Sequence, residues 1–349
     1  MLATKHTDIA KLIRNSIKEG KYTEKLPGVR KLSAEYDVSP KTVLKALKPL
    51  VAEGLIIPSA QKGNIISSKS IIRPKTGIIG IFCSTENPDL KNDLLLREII
   101  KAIENDGYRA LFMSVPDPHI FQEEVFWKSA WIDGYIFTYS SLKKELAYIL
   151  KRNEIPFVTA NRLPDECGAS WVDFDQRNMF EEMAKKLSEA GCKTAGSCTF
   201  IHQQPVVRKY YRESYIRAMK KYDLYVPEYF VYEEEPAGLE NFNQKEYLDF
   251  VKKQVEYYLS LKKLPDAIWL DLFSPQPVID EFRKAGVRIP EDLKVIIKQD
   301  VDKFNDNGLP TILYSYNELA FKTWELFKEQ LDNVNLCAHK EITCKFVNF

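Results

Sequence analysis

Histidine and cysteine are scarce in this chain of 349 residues, four and six respectively, and neither type is grouped. His6, His119, His202 and His339 fall at no metal-ligand spacing, and Cys83, Cys167, Cys192, Cys198, Cys337 and Cys344 contain no C-x-x-C pair. A zinc site and a dithiol redox centre are therefore excluded as readings, and isolated thiols fit a reducing compartment. No apolar run approaches the ~20 residues needed to span a bilayer. The N-terminus carries a charged or polar residue every few positions, so neither membrane partner nor signal peptide is expected and the chain is read as cytoplasmic. Residues 77–349 also lack G-x-x-x-x-G-K, G-x-S-x-G and H-E-x-x-H, which removes the commonest phosphate-binding, serine-nucleophile and metalloprotease signatures. No enzyme activity, metal or cofactor is expected.

Net charge is nearly absent as well, at +1, but this hides a division. Up to Thr76 there are 15 Lys and Arg against 6 Asp and Glu, a net of +9, and beyond it 35 against 43, a net of −8. A basic module thus precedes a larger acidic one, and a polyanionic partner such as nucleic acid is expected of the first alone. The length exceeds the ~250–300 residues at which one hydrophobic core stops growing. A content of 45% hydrophobic and 28% charged residues is that of a folded globular protein.

In the basic module, Ile9, Leu12, Ile13 and Ile17 recur at helical spacing up to Gly20, predicting an amphipathic first helix. A second is expected from Val29 to Tyr36. A third should run from Ser39 to Glu53, with Ser39 as cap and Pro40 at the first helical position. Only Asp37-Val38 separates the last two. Leu55-Ile56-Ile57, Gln61-Lys62-Gly63-Asn64 and Ile65-Ile66 then read as a β-hairpin, so the order is helix-turn-helix plus wing.

Lys25-Leu26-Pro27-Gly28-Val29-Arg30-Lys31-Leu32, Val38-Ser39-Pro40-Lys41-Thr42-Val43, Ala46-Leu47, Leu50 and Glu53-Gly54-Leu55-Ile56 resemble the winged-helix domain of the GntR family of bacterial transcription regulators, over about residues 5 to 68. The resemblance implies that Arg30 reads a base or phosphate. It places Ser39, Lys41 and Thr42 at the N-terminal end of a recognition helix in the major groove, and Lys62 and Gly63 of the wing in the minor groove. Hydroxyls and lysine at a helix N-terminus suit phosphate, and arginine suits guanine. The family commonly has basic residues where this chain has Pro40 and Leu44, which shifts the expected contacts onto Lys41 and Lys45. The assignment is residues 1–68 as winged helix-turn-helix, 69–76 as linker and 77–349 as the acidic domain.

From Gly77 onward, apolar β-branched runs alternate with amphipathic helices. Strands are expected at 78–82, 110–113, 135–137, 157–159, 171–174, 194–200, 229–234, 267–272, 293–298, 311–314 and 341–344, with helices at 93–106, 120–131, 142–153, 176–190, 206–222, 244–262, 276–285 and 317–332. Such repeats give parallel, doubly wound α/β sheets in two lobes, the last stretch returning across a hinge of several crossings. Ligands bind beyond the carboxyl ends of such strands. The candidates there are Ser84, Asn87 and Asp89 after the first strand, Asn161 and Arg162 after the fourth, His202, Asp271 and Asp300 in the second lobe, and Arg208 on a helix. This mixture of amides, guanidinium groups and carboxylates suits a polyhydroxylated ligand.

Asn87-Pro88, Asp133-Gly134, Ile155-Pro156-Phe157-Val158 with Asn161-Arg162, Val172-Asp173-Phe174-Asp175, Pro265-Asp266-Ala267-Ile268 and Gly286-Val287-Arg288-Ile289-Pro290 resemble the effector domain of the LacI and ribose-binding-protein superfamily, over about residues 77 to 349. The resemblance implies a periplasmic-binding-protein-like fold with Asn87, Asn161, Arg162, Arg208, Asp271 and Asp300 as effector contacts. Asp89-Leu90 stands where aromatics are common, so stacking on a sugar is assigned to Tyr139, Trp171 or Phe273. Ser214 replaces an expected glycine, which leaves Arg212 as an alternative to Arg208. The alternative for Asp300 is a helix cap or solvated loop, and for Asn161-Arg162 an interdomain salt bridge.

The expected function is sequence-specific binding of double-stranded operator DNA by a homodimeric repressor of carbohydrate use, gated by a monosaccharide or sugar phosphate. The alternative is a winged helix carrying an aminotransferase-like enzyme or another non-sugar sensor. The first of these needs a Schiff-base lysine and a glycine-rich phosphate site, which residues 77–349 do not display.

Overall fold

The helical spacing of Ile9, Ile13 and Ile17 is realised in α1 (Lys5–Lys18) of the computed structural model, which buries all three together with Ala10. The structure describes residues 5–18, 21–22, 24–52, 55–59, 63–66, 76–83, 93–113, 131–138, 141–163, 168–201, 205–234, 244–272 and 274–349. Two units separate, Met1–Ile78 with Lys128–Asp133, and Ile79–Trp127 with Gly134–Phe349. Among the described residues no helix is long and apolar enough to cross a membrane.

In the first unit α2 (Val29–Glu35) and α3 (Pro40–Ala52) follow α1, and β1 (Ile56–Ser59) pairs antiparallel with β2 (Gly63–Ile66). Leu32, Val43, Ala46, Leu47, Leu50, Ile56 and Ile66 close on the α1 stripe as one core. Each large aliphatic group so buried contributes about 1.5–3 kcal/mol. Leu12, expected on the buried face, is instead 48% exposed; the buried stripe is centred on Ile13 and Ile17 and extends to Ala10 on the side of the helix away from Leu12. The turn after α2 places Asp37 at φ 49, and Ser33 donates its hydroxyl to the Val38 carbonyl. One strand-like segment was not anticipated. Leu26 N donates to Asn64 O at 2.9 Å and Ile66 N to Glu24 O at 3.0 Å, so residues 24–26 line the second wing strand.

The second unit consists of two lobes. The first has β3 (Ile78–Phe82), α4 (Leu94–Asn105), β4 (Arg109–Met113), β5 (Gly134–Thr138), α5 (Lys144–Arg152), β6 (Phe157–Ala160) and β7 (Ser170–Phe174). The second has α6 (Gln176–Glu189), β8 (Ala195–Ile201), α7 (Pro205–Lys221), β9 (Tyr225–Glu234), α8 (Gln244–Ser260), β10 (Ala267–Asp271), α9 (Gln276–Lys284), β11 (Lys294–Asp300) and β12 (Thr311–Tyr314). The chain then returns through α10 (Tyr316–Asp332), β13 (His339–Ile342) and β14 (Lys345–Val347). Strand order is β13-β7-β6-β5-β3-β4 in one sheet and β14-β12-β11-β10-β8-β9 in the other. The central pairs are parallel, whereas β14 runs antiparallel to β12. Every residue of β5, β6 and β12 is buried, as expected of strands covered on both faces.

Three differences from the expected elements have physical causes. The single strand expected at 341–344 is two short strands in different sheets, because the chain crosses between lobes at Thr343 and Cys344. β9 begins at Tyr225 rather than 229; Pro227 lies on the edge strand, where a missing amide is tolerated, beside a register shift at Ala195/Ser197. The helix expected at 120–131 lies outside the described residues apart from Trp131.

Three crossings join the lobes, at Phe174–Gln176, Tyr314–Tyr316 and Ile342–Lys345. α10 leaves the second sheet but packs on α4, β6 and β7 of the first lobe. It is held there by Trp324 Nε1 donating to Asp106 at 2.7 Å and by Gln330, whose Oε1 accepts from Phe157 N at 2.8 Å and whose Nε2 donates to Ser170 Oγ at 3.1 Å. Gly134 is required beneath it: a Cβ there would lie 2.5 Å from Pro156 O and 2.8 Å from Phe327 Cζ. The preceding Asp133 accepts from the backbone amides of Thr76 and Gly77 at 2.7 and 2.8 Å.

Candidate nucleic-acid interface and effector cleft

α3 buries Val43, Ala46, Leu47 and Leu50, which leaves Lys41, Leu44, Lys45 and Lys48 exposed at i, i+3, i+4 and i+7. Its N-terminus is capped by Ser39, whose Oγ accepts from Thr42 N at 3.2 Å and lies 2.8 Å from the Thr42 hydroxyl. The two hydroxyls expected on DNA therefore first order the helix start. Arg30 is exposed in the first turn of α2, and Gly63 begins β2 at φ +78, a left-handed conformation suited to glycine. Lys62 lies outside the described residues. Arg30, Lys41, Lys45 and Lys48 are all exposed and form no ion pair among the described residues.

In the second unit, Ser84, Asn87 and Asp89, with His202, Tyr139 and Phe273, lie outside the described residues. The others fall into two groups. The first gathers at the carboxyl ends of β10 and β11, where Asp271 forms an ion pair with Lys298. Burial alone would lower the Lys298 pKa, but the charge and hydrogen bond of Asp271, with Tyr316 nearby, outweigh it and hold the ammonium charged. Lys298 Nζ stands 5.9 Å from the centre of the Tyr314 ring. The Tyr316 hydroxyl is pushed upward in pKa by burial, opposed by Lys298 and reinforced by Asp271, Asp300 and Asp93. Asp300 is buried with both oxygens engaged: Oδ1 accepts from Asp302 N at 2.9 Å and Oδ2 from Tyr316 N at 3.2 Å. It thus acts as a cap that also ties β11 to the second crossing.

The second group surrounds Arg162. Its backbone amide donates to Asp173 Oδ2 at 3.0 Å, and its guanidinium pairs with Glu341. The guanidinium carbon lies 4.2 Å from the Trp171 ring centre and 3.9 Å from that of Tyr210. Trp171 also stacks on His339 at 4.5 Å and is 2% exposed, so this ring, one of the three assigned to a sugar face, is occupied by protein. Trp171 and Glu341 belong to the first lobe and Tyr210, on α7, to the second. The arrangement is a cross-lobe cation–π stack rather than the ion pair considered as the alternative, since Glu341 lies on the same side as Arg162. A pocket of about 360 Å³ opens beside it, lined by Arg162, Asp175, Arg177, Asn178, Glu181, Tyr210, Arg217 and Glu341.

Asp173 belongs to the second group. Burial pushes its pKa up to about 6, against the amides of Arg162 and Phe174 and the Arg162 charge, with Glu341 adding to the rise. Cys344, at the third crossing, has its thiol pushed up to about 12 by burial and then by Asp175, Asp173 and Asp271. Asn161 accepts from Thr159 Oγ1 at 2.7 Å. Arg208 is half-buried on the first turn of α7, whereas Arg212 is exposed and Tyr211, next to it, accepts from Trp269 Nε1 at 2.8 Å. Reasoning from sequence missed Lys298, Tyr210, Tyr316 and Glu341. Lys298 had a signal: a lysine on the same strand face as Asp300, closing an apolar run.

Residues 5–66 match the bacterial regulatory proteins of the gntR family and are a GntR-family helix-turn-helix domain. The uncharacterized HTH-type transcriptional regulator YurK of Bacillus subtilis is 33% identical over 101 residues, which are 28% of this chain and 42% of that protein. The chain therefore spans less than half the length of that relative. The two-lobed fold is that of LacI-family and periplasmic-binding-protein-like regulators. A regulatory protein of the LacI family from Chloroflexus aggregans superposes with a TM-score of 0.62 at 17% identity, covering 78% of this chain and 96% of that one. The transcriptional regulator CelR in complex with cellobiose superposes with a TM-score of 0.61 at 14% identity, covering 92% of this chain and 98% of that one.

Proposed function

We propose that this protein is a transcription regulator that binds operator DNA through its N-terminal unit and a small polyhydroxylated molecule, a sugar, between the lobes of its second unit. The observation that carries this reading is the presence, in one chain, of a GntR-family helix-turn-helix domain with exposed lysines on α3 and a two-lobed fold of the LacI type. The cellobiose held by CelR supports a sugar as the ligand class. Arg30, Lys41, Lys45 and the wing contact DNA. Asn161, Arg208, Asp271 and Lys298 face the effector, together with Ser84, Asn87 and Asp89. The chain works as a cytoplasmic homodimeric repressor on an inverted repeat, because one winged helix covers too little duplex for tight specific binding. It acts by binding and not by catalysis.

Effector and DNA communicate only if the effector binds one lobe arrangement more tightly than the other. The test is thermal unfolding of the full chain against a panel of neutral and phosphorylated monosaccharides and disaccharides, followed by DNA binding with and without each hit. A ligand at ~100 times its Kd stabilises by about 2.7 kcal/mol, an easily read shift. A panel in which no sugar shifts unfolding or DNA affinity would defeat the reading.

A further inference from the structure

The stripe that α3 presents to solvent is not uniformly cationic. Lys41, Lys45 and Lys48 form no ion pair among the described residues, and between them stands Leu44, 53% exposed. The spacing puts all four on one helix face, opposite the core formed by Val43, Ala46, Leu47 and Leu50. Scattered exposed leucines are ordinary on protein surfaces, but this one occupies the centre of a basic face whose lysines form no ion pair among the described residues. Phosphate attraction to the lysines brings this face against a duplex. In the major groove the base edges offer hydrogen-bond donors and acceptors and a single apolar group, the thymine C5-methyl. A leucine neither donates nor accepts, and it strips water from any polar edge that it covers without replacing the lost bond. Only thymine offers it a favourable surface.

We propose that Leu44 is a specificity-determining residue, selecting thymine in the operator by apolar contact with the 5-methyl group. This rests on the DNA-binding reading above and deepens it by naming the chemical feature that is read. Lys41 and Lys45, one turn before and one residue after, hold the flanking phosphates and fix the register in which Leu44 meets the base edge.

The experiment uses the full chain as wild type, Leu44→Ala and Leu44→Arg. Each is used to enrich bound duplexes from a randomised DNA pool. Binding of the wild-type-selected duplex is then measured by fluorescence anisotropy, with each thymine replaced in turn by deoxyuridine, which lacks only the methyl. The expected result is one thymine per half-site at which this replacement weakens wild-type binding about fourfold, the worth of one buried methyl group. Leu44→Ala should be indifferent at that position, and Leu44→Arg should enrich guanine there, since arginine pairs with its O6 and N7. If every deoxyuridine duplex binds the wild type as tightly as the parent, or if Leu44→Ala keeps the same loss, the proposal is overturned. A changed oligomeric state of Leu44→Ala by light scattering, with no thymine effect, would also overturn it and assign Leu44 to contact with a second copy. Failure of the DNA-binding reading would look different, with no sequence enriched by any of the three proteins.

Discussion

Arg162 offers the sharpest test of the second unit, because its two aromatic neighbours come from different lobes. A cation over an aromatic face contributes about 0.5–1 kcal/mol when exposed and about 2 kcal/mol when desolvated. The Arg162 side chain is 16% exposed, so about 1–2 kcal/mol is expected for each of the contacts at 4.2 and 3.9 Å. Arg162→Ala should then cost about 2–4 kcal/mol, the loss of Glu341 pairing adding little because that carboxylate is 40% exposed. Tyr210→Ala removes only the cross-lobe face. In a double-mutant cycle followed by urea unfolding, the Arg162–Tyr210 coupling should be about 1–2 kcal/mol. Arg162→Lys should recover little of it, since an ammonium does not stack as a plane. A coupling indistinguishable from zero would mean that the rings merely happen to lie beside the guanidinium. The lobes would then be held by their three crossings and by the packing of Phe174 on Tyr314 and Tyr316, without a contribution from Tyr210.

Four further outcomes are expected. Arg30→Ala should weaken binding to a selected operator by about 1–3 kcal/mol if it reads a base, whereas Lys185→Ala, on the second unit, should leave it unchanged in gel shifts; equal losses would reduce the interface to bulk charge. Asp271→Ala should weaken the sugar found in the thermal screen by about ten- to hundredfold, by calorimetry, while operator affinity without sugar stays intact. Asp173 has a pKa raised from 3.8 to about 6, so it binds more protons folded than unfolded between those values, and its contribution is present below about pH 4 and lost as pH rises through 6. Relative to Asp173→Asn, which does not titrate, wild-type stability should therefore fall by up to about 3 kcal/mol from pH 4 to 7; a flat difference would refute this burial argument. Gly134→Ala should cost about 1–3 kcal/mol in unfolding experiments, since the new Cβ meets the Pro156 carbonyl and the Phe327 ring.

Most of the fold was legible because periodicity reports burial directly. β5, β6 and β12 are covered on both faces, and they stand out in the sequence as unbroken apolar runs. The helix-turn-helix was legible for a different reason, the short Asp37-Val38 turn between two patterned helices. Leu12 shows the limit of the method. It satisfies the spacing of α1 but lies at the rim of a stripe whose true width was set by Ala10 and by how closely α3 approaches. The 341–344 strand failed similarly, since its residues have strand propensity throughout and only the lobe crossing at Cys344 divides them.

The site was less legible than the fold, and the reason lies in where its partners come from. Sequence placed Arg162 and Asp300 at strand ends, and Asp300 does close β11 while Arg162 follows β6. What each side chain does depends on groups far along the chain: Glu341 is 179 residues from Arg162, and Lys298 is 27 from Asp271. From sequence, Asp300 reads as a sugar contact, with a helix cap or solvated loop as the alternative. The arrival of the Tyr316 amide from the second crossing uses its remaining oxygen. Both of its oxygens bond to backbone, so a sugar hydroxyl would have to share an oxygen already engaged. Asp271 is in the opposite position, since among the described residues its carboxylate meets one side chain, that of Lys298, which also approaches Tyr314 and Tyr316. A carboxylate bonded to one ammonium keeps lone pairs for a hydroxyl donor, and the ammonium keeps protons for a hydroxyl acceptor. Under the proposed function, discrimination between sugars falls to the Asp271–Lys298 pair more than to Asp300, and Asp300→Ala should loosen the crossing between β11 and α10, read as a lower urea midpoint, before it changes which sugar shifts thermal unfolding.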